Sequence, residues 1–241
     1  MTLRWDWLGR TAYVPVWERQ LALREDILGG RAAPCVLLCE HTPVITLGRS
    51  AEPGNVIASP AELRAAGVAV HAIERGGDVT YHGPGQLMIY PVVPVRSVVA
   101  YLSTLGRVLA EVCAHFGVAG AAFRCNPAGL WLGEEKLAAC GIHLRHGVTV
   151  HGWAFNVATP PLAWTRIRPC GGEAPQLSLV EARIRGGLAP SAAQLDVATV
   201  AAEVGPRLLA ALPAVMRGGP AGASGVPGAP RTPGATGACS T

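Results

Sequence analysis

The segment Arg75-Gly-Gly-Asp-Val-Thr-Tyr-His-Gly-Pro-Gly-Gln86 constrains this chain more than any other. Four of its residues are Gly and one is Pro. Gly lets another group approach the backbone closely, and Pro stiffens the turn. Apolar runs flank it at Val68–Ile73 and Leu87–Val93. The pattern predicts strand, polar glycine-rich loop, strand. A plain turn needs Gly and Pro but not Arg75, Thr80, Tyr81, His82 and Gln86 together, so the loop is expected to be a binding site.

The chain of 241 residues is long enough for one sizeable core. It is 50% hydrophobic and 15% charged, which predicts a globular domain. No apolar run reads as a membrane span, and the N-terminus lacks the apolar stretch of an export signal. Seven Cys without such a signal predict reduced thiols and a cytoplasmic setting. The net charge of +4 is spread without a basic run, which argues against nucleic acid and fits an acidic protein partner.

Helical spacing predicts helices at Tyr13–Leu28, Pro60–Ala66, Ser97–Phe116, Ser178–Ile184 and Ser191–Leu212. In the first of these, Val16, Trp17, Leu21, Leu23, Ile27 and Leu28 define the expected buried face. Strands are expected at Cys35–Glu40, Val44–Leu47, Val68–Ile73, Leu87–Val93, Leu130–Leu132, Lys136–Leu144 and Val148–Val157, the last two joined as a hairpin by Arg145-His146-Gly147. Strands and helices mix without regular alternation, so the fold class is α/β (α+β), a mixed sheet flanked by helices. Residues 1–215 read as one catalytic domain, and the Gly/Pro/Ala-rich stretch 216–241 as a disordered tail.

Lys136 is the only Lys among 20 Lys and Arg residues. A Lys surviving where the composition favours Arg is a candidate tuned base or cation, because Arg does not lose its proton. Cys170, in Arg168-Pro-Cys-Gly-Gly-Glu, stands on an irregular turn where a thiol is accessible, unlike Cys35 and Cys39 in an apolar strand or Cys113 in a helix. His82 and His151 are candidates to orient a substrate. No Gly-x-Ser-x-Gly or Gly-x-x-x-x-Gly-Lys motif occurs, and no metal or cofactor is expected.

Arg75–Gln86 resembles the signature of the lipoyl/octanoyl transferases of lipoate biosynthesis. Glu40-His-Thr-Pro-Val-Ile-Thr-Leu-Gly-Arg49, Lys136-Leu-Ala-Ala-Cys-Gly141, His151-Gly-Trp-Ala-Phe-Asn156 and Pro169-Cys-Gly171 resemble further family segments, in order, between about Leu8 and Leu212. Ile89, Trp153, Phe155 and Gly172 depart from its usual residues. The resemblance implies a single domain of the biotin and lipoate protein ligase fold. It implies that Cys170 takes an octanoyl group from acyl carrier protein as a thioester, with Lys136 as its partner. The acyl group then passes to a lysine of a lipoyl domain of the 2-oxoacid dehydrogenases or of the glycine-cleavage H protein. It assigns substrate binding to Arg75, Gly76, Gly77, Asp78, Val79, Thr80, Tyr81, His82, Ala139, Cys140, Gly141, Gly152, Trp153 and Ala154, and a monomer as the working unit. The backbone of Gly76-Gly77, Gly83–Gly85 and Gly141 is expected to hold the acyl carbonyl. Rival readings are an ATP-dependent lipoate or biotin ligase, a non-catalytic acyl-binding module and a cysteine hydrolase.

Overall fold

The computed structural model describes residues 2–169 and 174–217. The Cys170 turn and nearly all of the 216–241 tail therefore lie outside the described residues.

The chain opens with a strand that periodicity arguments overlooked, β1 (Arg4–Thr11). It alternates Trp5 and Trp7 toward the larger core cluster. Helix α1 (Tyr13–Leu28) then carries the chain over to β2 (Cys35–His41), which pairs with β1 in parallel. Parallel neighbours need a crossover of this kind. All seven residues of β2 are buried, as expected of its apolar run. The sheet continues with β6 (Gln86–Val92), β10 (Val148–Asn156), β9 (Glu135–Arg145), β8 (Ala128–Leu132) and β7 (Ala122–Cys125), giving the order β1-β2-β6-β10-β9-β8-β7. Every pair after β1–β2 is antiparallel. The sheet is mixed, and β9 and β10 form the expected hairpin.

A second sheet has the order β4-β3-β5, from β3 (Val44–Leu47), β4 (Ala69–Ala72) and β5 (Val79–His82). Here the opening reading needs correction. The segment 75–86 is not one loop, because Val79–His82 extends and pairs antiparallel with β3. Only Gly83-Pro84-Gly85 makes the turn into β6, with Gly85 at φ +85°.

The two faces of the main sheet bury different things. Helices α3 (Val98–His115) and α6 (Val197–Ala211) cover one face, where Leu105, Leu109, Val200 and Val204 pack on Val36, Leu87, Ile89, Trp153 and Phe155. On the other face α1 meets Cys35, Leu37, Cys39, Met88, Tyr90 and Ala154 through Val16. The buried stripe of α1 is Tyr13, Val16, Gln20 and Arg24, not the apolar set expected from spacing; Leu28 is exposed.

Two segments, Val98–His115 and Val197–Ala214, are long and apolar enough to cross a membrane by length and composition, contrary to the sequence expectation. Both instead pack on the sheet. The expected helix Ser191–Leu212 is split: Pro190–Ala193 forms one turn (α5), and Asp196 caps α6 by accepting a hydrogen bond from Thr199 N at 2.7 Å. The short helices α2 (Pro60–Ala65) and α4 (Leu179–Arg185) lie where expected. Met216 and Arg217, assigned to the tail, are held by Val95 and Pro94.

Candidate active site

A pocket of about 590 Å3, counted to its open mouth, lies where β6, β9 and β10 face Tyr13 of α1 and the segment 75–82. Of the expected residues, Arg75, Gly76, Gly77, Val79, Thr80, His82, Lys136, Ala139, Cys140, Gly141, Gly152, Trp153 and Ala154 line it. Pro169, bonded to Cys170, and Gln176 also line it.

Two expected residues do not. Asp78 is buried away from the pocket, where its carboxylate accepts from Glu52 N (3.0 Å) and from Asn55 Nδ2. It braces the loop. Tyr81 sits one residue from Thr80 and His82 on β5, so its side chain takes the opposite face. It packs with Ile45, Leu63 and Ile167, and its ring meets Trp164 edge-on. Two of the glycine N–H groups expected to hold an acyl oxygen, those of Gly85 and Gly76, are already engaged. Gly85 N donates to Glu40 Oε1 at 2.6 Å, and its carbonyl accepts from Val157 N and Ala158 N. Gly76 N donates to Ile142 O at 3.0 Å, so it has no hydrogen left for an acyl oxygen.

Lys136 is 4% exposed, which rules out chance survival on the surface. Its Nζ lies 4.7 Å from the centre of the Trp131 ring, a cation–π contact. Its backbone is clamped on both sides, with N donating to Pro175 O (2.9 Å) and O accepting from Leu177 N (3.0 Å). The same carbonyl accepts from Asn156 Nδ2 at 3.4 Å.

That contact ends a directed chain of hydrogen bonds. Arg75 Nε and Nη2 donate to Thr46 Oγ1 at 3.1 and 2.9 Å. The Thr46 hydroxyl therefore donates to His82 Nε2 at 3.3 Å. His82 Nδ1 donates to Gln86 Oε1 (2.9 Å), and Gln86 Nε2 donates to Asn156 Oδ1 (2.9 Å). The sequence motifs around Arg75, His82 and Asn156 are thus one network. It requires neutral His82, and burial, the leading cause, lowers its pKa to about 3. His41 is similar: Nδ1 donates to Thr11 O (3.0 Å), Nε2 accepts from the Tyr90 hydroxyl (3.0 Å), and burial lowers its pKa to about 4.

Cys140 lines the pocket, but burial pushes its thiol well above the ordinary range and Lys136 only partly offsets this. It is protonated and a poor nucleophile. Among the described residues Cys35, Cys39, Cys113 and Cys140 are free thiols.

Sequence reasoning missed Tyr13, Met88 and Tyr90 as pocket residues, and it offered His151 only as a candidate to orient a substrate. His151 lies inside β10 with φ +60°, a left-handed conformation that costs roughly 1–2 kcal/mol for a residue with a Cβ. Two residues on, Trp153 faces α3 and its ring meets Phe123. Strict alternation would send His151 the same way. The left-handed residue breaks the alternation, and the imidazole turns to α1, with Nδ1 3.4 Å from the Tyr13 hydroxyl. Gly152 follows at φ +159°, where a Cβ would lie 2.1 Å from Ile89 O. His151 N donates to Gln20 Oε1 at 2.7 Å, which explains the buried Gln on α1. His151 Nε2 lies 3.4 Å from Glu74 Oε1, which also accepts from Trp17 Nε1 at 3.2 Å. The contact with His151 is the main cause that holds the Glu74 carboxyl at about 2.

The sequence matches the lipoyl protein ligase A/B catalytic domain over residues 13–170. It is 41% identical over 181 residues to an octanoyltransferase of Acidobacterium capsulatum, spanning 68% of this chain and 73% of that protein. With an octanoyltransferase of Solibacter usitatus it shares 40% identity over 186 residues, 75% of this chain and 84% of the other. The fold matches a lipoate-protein ligase A crystallised with ATP at TM-score 0.67 and 14% identity, covering 88% of this chain and 86% of that one. The chain belongs to the lipoyl protein ligase A/B catalytic domain family, alongside octanoyltransferases.

Proposed function

We propose that this octanoyltransferase works in two half-reactions through Cys170. The Cys170 thiolate attacks the thioester carbonyl of octanoyl acyl carrier protein. An acyl-cysteine forms, and the carrier thiol leaves with the proton that Cys170 lost, passed through Lys136. A lysine amine of a lipoyl domain, or of the glycine-cleavage H protein, then attacks the acyl-cysteine. An amide forms, and Cys170 leaves as thiolate and regains a proton from the attacking nitrogen through Lys136.

The observation that carries this reading is the burial of the chain's single Lys in the wall of a pocket that Pro169, the residue bonded to Cys170, also lines. An ordinary thiol is mostly protonated near neutral pH, and a nearby ammonium favours the thiolate. The apolar part of the pocket suits an acyl chain, at about 0.8 kcal/mol per buried methylene.

Intact-mass measurement after mixing the protein with octanoyl acyl carrier protein, without ATP, tests the scheme. Wild type is expected to gain one octanoyl group, removable by a lipoyl domain, and Cys170→Ala to gain none. Acylation that persists in Cys170→Ala, or appears only with free octanoate and ATP, would reject it.

A further inference from the structure

Pro169 and Gly77 line the pocket from two different segments, and residues 48–58 join those segments. On one side Arg49 N donates to Arg75 O (3.0 Å), Ser50 N to Gly77 O (3.2 Å) and Gly48 N to Asp78 O (3.2 Å). On the other side Val56 bridges Ile167, Ile57 N donates to Arg166 O (2.9 Å), and Arg168 N donates to Asn55 O (2.8 Å). All of these are backbone contacts. The side chain that ties the two halves of the loop together is Asp78.

Asp78 and Asn55 are both buried. The Asp78 carboxylate accepts from Glu52 N at 3.0 Å and from Asn55 Nδ2. A carboxylate only accepts, so the Asn55 amide presents its NH2 group. The two donors stand at the two ends of the 3-10 turn Pro53–Asn55. One carboxylate thus grips both ends of the turn and fixes the Asn55 carbonyl, the acceptor for Arg168 N. Pro169 follows, and after it the nucleophile of the proposed reaction. Beyond residue 173 the chain returns to the Lys136 backbone through Pro175 O and Leu177 N, again by backbone alone. Gly77 and Val79 line the pocket, but Asp78 between them does not.

We propose that Asp78 is a positioning residue for the acyl transfer. Through Asn55 it holds residues 166–169 against the glycine-rich segment, and so sets where the thiol after Pro169 meets the acyl carbonyl. It neither touches the acyl group nor exchanges a proton. Catalysis depends steeply on such placement, and a shift of about 1 Å costs on the order of 10²-fold in rate. This assignment rests on the reading above, in which Cys170 is the nucleophile.

The test follows single-turnover acylation by octanoyl acyl carrier protein, read by quenched intact mass over a range of donor concentrations. Asp78→Ala removes both acceptors. Asn55→Asp sets a second carboxylate against the first. In the double variant Asp78→Asn/Asn55→Asp donor and acceptor change places: the amide at 78 keeps an oxygen for Glu52 N and gives its NH2 to the carboxylate at 55. Each single variant is expected to lose about tenfold or more in maximal rate, with the half-saturating donor concentration unchanged, and the exchanged pair to return within about threefold of wild type. If one single variant does not fold, the other decides; if neither does, Asn55→Ala, which leaves Asp78 its bond from Glu52 N, takes their place. A folded single variant at the wild-type rate, or an exchanged pair no faster than Asn55→Asp, overturns the assignment. A raised half-saturating concentration at an unchanged maximal rate also overturns it and returns Asp78 to substrate binding. A wild type that gains no octanoyl group would instead overturn the two-step reaction itself.

Discussion

At the scale of single residues, the proposed transfer rests on Lys136, the chain's single lysine. The 19 other basic residues are Arg, which stay protonated, whereas a buried Lys beside Trp131 can exchange a proton. Lys136→Arg keeps the charge but removes the neutral amine. Steady-state octanoyl transfer is expected to fall by about 10²-fold or more, the usual weight of general acid–base catalysis. Activity near wild type would show that a fixed positive charge suffices. This residue stood out in the sequence because composition isolates it. Asp78 and Tyr81 were misplaced for the opposite reason: a motif names neighbours, but strand alternation sends every second side chain to the other face.

Strand β10 shows how one element feeds both core and pocket. Trp153 and Phe155 fill the α3 face, while the break at His151 and Gly152 turns the strand's start toward α1. That break draws the His151 N–H toward α1, where Gln20 accepts it at 2.7 Å. Gln20→Leu would leave this buried N–H without a partner. The expected cost is about 1–3 kcal/mol, read from the urea midpoint. An unchanged midpoint would mean that the backbone finds another acceptor. Helical spacing on α1 could not reveal this, because it ranks positions by apolarity, and the buried stripe is chosen by a polar need on a strand more than a hundred residues away.

For the whole molecule, the neutral buried histidines tie stability to pH. The folded pKa values of His41 and His82 are lowered to about 4 and about 3, chiefly by burial. Between those values and the unfolded value near 6.5, only the unfolded chain binds the protons. Their contribution is therefore full above about pH 6.5 and is lost as pH falls. Glu74, held at about 2, adds a loss in the same direction below the ordinary carboxylate range. Urea unfolding is expected to show stability dropping by a few kcal/mol from pH 7 to pH 4. A flat profile over that interval would mean that these imidazoles are accessible to water in the folded protein. The Lys136 carbonyl joins the same hydrogen-bond chain as His82, so activity should decline with the fold on the acid side.

The sequence by itself determined the mixed α/β class, most of the long elements, the family, and the Lys136 and glycine-rich segments that line the pocket. Those features are local: an apolar run, a helical stripe, a glycine cluster or a lone Lys is written in consecutive residues. Strands β1, β5 and β7 escaped because each is short or polar and becomes a strand only by pairing with a partner that already exists. Tertiary structure alone decided which side chains face the pocket, which glycine N–H groups were already taken, and that His151 turns toward Tyr13. Each of those depends on which hydrogen-bond partner and which face a residue finds, and both are properties of packed pairs distant in the chain.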